Sequence, residues 1–347
     1  AKYFAITHLN DAQMTPQELK ELPKVWCIGG DGALGDIGFQ NLSKAMLQGR
    51  PNIKFLMLDT QVYSNTGGQN SDSSFMPGGY DMNQFGVSTQ GKMTERKSVA
   101  DILTTGHGSP YVAQISITNA AKLYQTILEG LEYRGSAFYQ CYTTCQPEHG
   151  VGDDASAIQA KLARDCRAMP EFVFNSSLGE LVQECYDVKG NPNTNRDWQQ
   201  MKSKLDKEIS YAFTTAHWAT TEARFRRHHQ VITEEETKSM IPLENMLQLV
   251  SQNDVAHYLF ADENENAYVP DFGVFIRTEF NDTVKYHSLS RQLVLFCVER
   301  RKAWRLMQSK AGIENTDYQT QREILKKLAD GEITRDEVLK KGAAVTG

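Results

Sequence analysis

The chain contains no apolar run of the length needed to cross a bilayer, no internal repeat and no low-complexity tract, and no secretory signal is visible in its first residues. A basic excess is also missing. The net charge of −6 speaks against a general role on nucleic acid or on an anionic membrane surface. Cysteine is sparse and unpatterned: among Cys27, Cys141, Cys145, Cys166, Cys185 and Cys297 there is no CxxC, and only Cys141 and Cys145 lie close in sequence. A disulfide framework is therefore not expected, and free buried thiols are. These absences lead us to expect a cytoplasmic protein with neither a nucleic-acid nor a membrane partner.

With 347 residues, 40% of them hydrophobic and 23% charged, the sequence belongs to a globular protein with a sizeable core and room for two domains. It starts on Ala1, and its opening segment reads like the middle of something, so a piece of a longer polypeptide or one subunit of a complex is expected. The first half alternates strand and helix. Apolar runs at 24–30, 52–60, 110–118 and 136–144 read as buried strands, and the spacing of Ile37, Leu42, Ala45 and Met46 predicts a helix over 37–49, with another over 119–135. That order predicts an α/β fold, a doubly wound, mostly parallel sheet with ligands at the carboxyl ends of the strands. Residues 69–98 form a long polar, glycine-rich stretch, expected to be a functional lid or an insertion. Beyond residue 150, helices are expected at 155–169, 197–229, 289–310 and 319–341, a strand at 171–175 and a hairpin within "NAYVPDFGVFIRTEF". The expected organisation is a lead-in over 1–23, an α/β domain over 24–190 and a mixed, largely helical C-terminal extension over 191–347.

The chemistry concentrates in "GGDGALGDIG" (29–38) and "DTQVYSNTGGQ" (59–69). A carboxylate, Asp31, sits inside a glycine-rich turn that otherwise suits a phosphate, and two anions share a site only with a cation between them. The 26 residues between Gly32 and Asp59 make one helix and one strand, so Asp31 and the 60–65 turn should reach the same sheet edge. Carboxylate, threonine hydroxyl, carbonyls and asparagine are hard oxygen ligands of the kind Mg²⁺ takes while bridging to phosphate.

A GDG followed about two dozen residues later by a polar metal-binding turn is the thiamine-diphosphate signature. With Asp59-Thr60 followed by "VYSNTGGQ", it resembles the thiamine-diphosphate domain of pyruvate:ferredoxin (flavodoxin) oxidoreductases. The likeness continues through "GKMTERKSVADI" (91–102) and "YTTCQPEHG" (142–150) and covers about residues 24–230. It implies a thiamine-diphosphate-binding fold with Mg²⁺ held by Asp31, Thr60 and the carbonyl of Val62. It also implies cofactor contacts from Gly30, Asp31, Gly32, Asp36, Ile37, Tyr63, Asn65, Thr66 and Gly67, with Asn65 beside the reacting centre as the catalytic residue. The implied reaction is oxidative decarboxylation of a 2-oxoacid, foremost pyruvate, with coenzyme A as co-substrate, giving acetyl-CoA and CO₂ and passing electrons through a [4Fe-4S] cluster to ferredoxin or flavodoxin.

Two family features are missing here. Of the family's cluster cysteines only Cys145 has a counterpart, and the glutamate that activates the cofactor's pyrimidine ring comes from another domain. The resemblance thus implies partner domains or subunits in a homo- or hetero-oligomer, and a chain catalytically incomplete by itself. A non-redox thiamine-diphosphate decarboxylase or carboligase, a 2-oxoglutarate-type oxidoreductase and a non-catalytic scaffold subunit stay open as alternatives. Cys145 reads equally as a free thiol, and His149 as a surface turn residue. Lys92, Arg96 and Lys97 read as contacts to coenzyme A phosphates or an acidic electron carrier, or else as a solvated loop face. The basic clusters at 224–229 and 299–305 read as solvated helix faces or a docking surface for an acidic carrier.

Overall fold

The computed structural model describes residues 15–82, 88–250, 261, 268–280 and 282–340. The central sheet has six strands in the order β1 (Val25–Gly30), β2 (Ile53–Asp59), β6 (Ala137–Tyr142), β5 (Tyr111–Ile115), β7 (Phe172–Asn175) and β8 (Tyr186–Asp187). β1, β2, β6 and β5 run parallel, while β7 and β8 are antiparallel. The sheet is therefore mostly parallel, as expected. Helix Phe39–Leu47 buries Leu42 and Met46 against one face, and helix Ala120–Glu132 covers the other, its first turn capped by the Asn119 side chain. Among the described residues no helix is long and apolar enough to cross a membrane, and all six cysteines are free.

The stretch 69–98 is not an outward lid. Phe75, Met76, Ser73 and Ser74 are fully buried, and the ribbon of β3 (Tyr80–Met82) and β4 (Ser88–Gln90) closes it; residues 83–87 lie outside the described set. Ser74 Oγ donates to the Gln61 carbonyl and the Ser73 carbonyl accepts from Arg96, which helps a polar loop to be interred.

The helix expected over 197–229 does not form. β9 (Gln199–Lys202) and β10 (Ser210–Phe213) make an antiparallel pair there, followed by the short helix Thr215–Ala219 and β11 (His229–Ile232). Ser203 Oγ accepts from the Leu205 and Asp206 amides, and Asp206 accepts from the Glu208 amide, so side chains close a turn where a helix would need those groups. β11 joins β12 (Ile241–Pro242), β13 (Val274–Phe280) and β14 (Thr283–Leu289) in a second sheet. The hairpin thus lies one strand later than expected, and residues 266 and 267 of its predicted span fall outside the described set. The C-terminal part is accordingly mixed, with a sheet beside its helices. The helix expected over 319–341 breaks into Thr316–Ala329 and Arg335–Lys340, because Gly331 turns left-handed and Thr334 caps a new start.

Helix Arg291–Lys310, capped by Ser290, is buried nearly all round. Its Leu293–Val298 segment belongs to a cluster with Phe75, Trp218 and Phe225, while Trp304 and Met307 belong to another with Leu42, Met46 and Phe138. The charged cluster at 299–305 is therefore not a solvated face. Glu299 pairs with Arg300, Arg301 donates to the Leu247 carbonyl, and Arg305 pairs with Asp197.

Three buried histidines stand at the junction of this helix and the second sheet. Burial pushes His228 and His287 down to about 4 and His217 to about 3, so all are neutral in the fold. A depressed folded pKa means that stability is lost as pH falls through the unfolded value near 6.5. Between pH 7 and 5 the parent should lose about 1–2 kcal/mol more than His228→Gln. Denaturant titrations at both pH values check this, and parallel losses would refute it.

Candidate functional site

β1 and β2 are in register so that Gly30 faces Leu58, which brings Asp31 and Thr60 out side by side at the sheet edge. The chain enters a single π-helical turn, Gly32–Ile37, directly after Asp31. Asp31 is only 1% exposed. Its Oδ1 accepts from Thr60 Oγ1 at 3.1 Å and from the Thr60 amide at 3.3 Å, and its Oδ2 accepts from Ser71 Oγ at 2.5 Å. Thr60 Oγ1 lies 3.1 Å from the Val62 carbonyl oxygen.

These spacings decide what the site fits. Neighbouring ligands in a Mg²⁺ octahedron with bonds of about 2.1 Å stand about 3 Å apart. Asp31 Oδ1, Thr60 Oγ1 and Val62 O are set at that separation along two edges, so the donor set and its spacing both suit the ion. Burial, then the neighbouring Asp59 carboxylate, raises the Asp31 pKa to about 6. A buried carboxylate whose hydrogen-bond donors are all neutral gains most from a divalent cation.

The turns on either side approach closely. A Cβ at Gly32 would fall 2.2 Å from the Tyr63 ring, and at Gly68, with φ +87°, 2.3 Å from Glu148 Oε2. Only glycine lets the backbone run here, which leaves amides near Asp31 and Thr60 that an anion could meet. Asn65, Thr66 and Gly67 are exposed on the 3₁₀ turn Ser64–Thr66, and Gly30 is exposed at the end of β1. Asp36 accepts from Tyr63 Oη at 2.6 Å and from the Asp72 amide at 3.2 Å. Asp36 and Tyr63 thus brace the two turns against each other, and Ile37 stands 86% exposed beside them.

Around this edge the structure departs from the sequence readings of His149, Lys92, Arg96 and Arg224. His149 is fully buried, with Nε2 2.8 Å from the Thr60 carbonyl; burial keeps it neutral, so it donates from Nε2. Arg96 pairs with Asp59 in the interior and donates to the Ser73 carbonyl. Lys92 is buried and donates to the Ser71 and Asp72 carbonyls, whereas Lys97 pairs with the exposed Asp72 and stays on the solvated loop face. Arg224 is also buried, paired with Glu222 and stacked near Phe225. Sequence reasoning missed Gln61, Glu222 and Arg224 as site residues. The one signal for His149 was that "YTTCQPEHG" follows β6 at the same sheet edge.

Cys145 is half-buried at the start of the short helix Gln146–His149. Among the described residues no group of three His, Cys, Asp or Glu is placed to hold a metal ion. Cluster ligation through Cys145 would need cysteines from elsewhere.

Residues 12–141 match the family described as the thiamine pyrophosphate enzyme C-terminal TPP binding domain. Among curated relatives, "Pyruvate dehydrogenase [NADP(+)], mitochondrial" of Euglena gracilis is 29% identical over 65% of this chain and 13% of its own length. "Pyruvate:ferredoxin oxidoreductase" of Moorella thermoacetica is 32% identical over 45% of this chain and 13% of its own length. "Pyruvate synthase subunit PorB" of Pyrococcus horikoshii is 36% identical over 43% of this chain and 44% of its own length. The matched stretch therefore spans less than half of each of these relatives.

Proposed function

Since the chain belongs, through its thiamine-diphosphate domain, to the pyruvate:ferredoxin (flavodoxin) oxidoreductase family, we propose that it is the cofactor-binding part of a 2-oxoacid oxidoreductase acting on pyruvate. The observation that carries this is the octahedral-edge spacing of Asp31 Oδ1, Thr60 Oγ1 and Val62 O. In this reading those three oxygens hold Mg²⁺, and the amides around Gly32 and Gly67 hold the diphosphate. Asn65 and Thr66, exposed on the adjoining turn, border the substrate, with Asn65 as the catalytic residue. Asp36 and Tyr63 fix the distance between the two turns. Thiamine diphosphate supplies a nucleophilic carbon and an electron sink for loss of CO₂ from the 2-oxoacid, and coenzyme A takes the acyl group.

Residues 24–190 form the cofactor unit in this proposal, with 1–23 as lead-in and 191–347 as its brace. Other domains or subunits bring the pyrimidine-side glutamate and the remaining cluster cysteines, with Cys145 as this chain's ligand to a shared [4Fe-4S] cluster. Ferredoxin or flavodoxin accepts the electrons, in a cytoplasmic oligomer. The relatives named PorB subunits, and the small share of the longer relatives that is matched, support a multi-subunit or multidomain assembly.

Anaerobic purification with all attached chains, followed by assay of thiamine diphosphate, Mg²⁺, iron and acid-labile sulfide per copy, tests the proposal. All four present is the expected result. Thiamine diphosphate without iron would move the function to a non-redox decarboxylase or carboligase, and neither would overturn the site.

A further inference from the structure

Gln61 stands between the two oxygens expected to hold the cation together with Asp31. It is one of five described non-glycine residues with positive φ, at +59°, and among these it alone lies at the cofactor edge. Left-handed backbone is strained for a side-chain-bearing residue, and it persists where the surroundings over-determine it. Here every polar group of the residue is tied. Its amide donates to Asp59 Oδ1 at 3.2 Å, its carbonyl accepts from Ser74 Oγ, its side-chain Nε2 donates to the Asp59 carbonyl, and its Oε1 accepts from Arg224 Nη2 at 3.3 Å.

The Arg224 end is itself rigid. Its Nε donates to Glu222 Oε2 at 2.6 Å, and its guanidinium lies 4.7 Å from the Phe225 ring and 5.4 Å from that of Trp218. Glu222 also receives the Tyr142 hydroxyl. If Gln61 relaxed to an ordinary φ, the peptide on its C-terminal side would rotate and carry the Val62 carbonyl away from Thr60 Oγ1.

We propose that Gln61 is a positioning residue, clamped between Asp59 and Arg224, which keeps the Val62 carbonyl turned toward the cation site. It touches neither the cation nor the cofactor, and what it sets is metal affinity. This inference rests on the proposed role of Thr60 and Val62 as ligands.

The test is titration of the full chain, in the assembly with which it purifies, with Mn²⁺ at saturating thiamine diphosphate, free Mn²⁺ being read by electron paramagnetic resonance. Gln61→Leu keeps the volume and loses both side-chain anchors. Gln61→Gly adopts the same φ at ease but is unanchored. Leucine should weaken Mn²⁺ binding by about 10–100-fold, the range found when outer partners of metal ligands are removed, and glycine should fall between leucine and the parent. Both variants binding within about twofold of the parent would overturn the proposal. Should leucine prevent folding, glycine decides alone, weakened binding supporting the proposal and parity overturning it. A parent that takes up no Mn²⁺ sinks the reading of the site itself, a result distinct from a parent that binds and variants that match it.

Discussion

Asp31→Asn should lose Mg²⁺-dependent thiamine diphosphate binding and, without ligand, should melt higher than the parent. The two effects share one cause. At pH 7 the Asp31 carboxylate is ionised although burial and the Asp59 charge raise its pKa to about 6. A raised folded pKa means that ionisation costs stability, here about 1–3 kcal/mol at pH 7, and that the cost fades as pH falls below about 6. Asparagine removes the charge while its oxygen still accepts from the Thr60 amide, and its nitrogen faces Ser71 Oγ, which can accept. A cation held there as proposed would then have only neutral protein ligands, and affinity should drop more than the roughly 100-fold that bounds changes one shell further out. Calorimetric scans at pH 7 with and without Mg²⁺ and thiamine diphosphate read both effects. Binding that survives the substitution would refute the assignment of Asp31.

Arg96→Met should cost about 3–5 kcal/mol of stability, the penalty for stranding a buried charge. Side chains of Arg96 and Asp59 are 1% and 0% exposed, and the guanidinium also lies 4.9 Å from the Phe75 ring. Without it Asp59 keeps only amide donors, Gln140 Nε2 at 2.5 Å, the Gln61 backbone at 3.2 Å and Gln61 Nε2 at 3.3 Å, and still faces the Asp31 charge. Adding Asp59→Asn should recover part of the loss, because it removes the stranded charge, although its Nδ2 then meets the Gln140 Nε2 donor, which the Ala100 amide holds in place. Urea titrations of the two single variants and the double variant measure the coupling. A single-variant cost below about 1 kcal/mol would show that the pair contributes little.

The parallel half of the fold and the meeting of Asp31 with Thr60 at one sheet edge were legible because they depend on local signals. β1 and β2 are apolar runs ending in glycine-rich turns, and the length between them fixed where Asp31 and Thr60 would meet. What stayed hidden depended on distant partners. Arg96, His149 and Arg224 carry the residue types of a solvated surface, and only their tertiary partners Asp59, the Thr60 carbonyl and Glu222 make them interior. The segment 197–229 failed for a related reason. Its helical spacing was real, but the turn closed by Ser203 and Asp206 and the pairing of β9 with β10 outweighed it. Positive φ at Gln61 left no trace in sequence at all, since glutamine carries no preference for it.

Helix Arg291–Lys310 reaches from one apolar cluster into the other, and its Glu299 Oε1 accepts from the Arg96 amide at 2.7 Å. Peeling the C-terminal part away would therefore expose Trp304 and Met307, dissolve packing around Leu42 and Phe138, and release the loop that carries Ser71 to Asp31. Such a helix leaves no low-energy route to partial opening, so amide protection on β2 and on residues 291–310 must be lost in the same event.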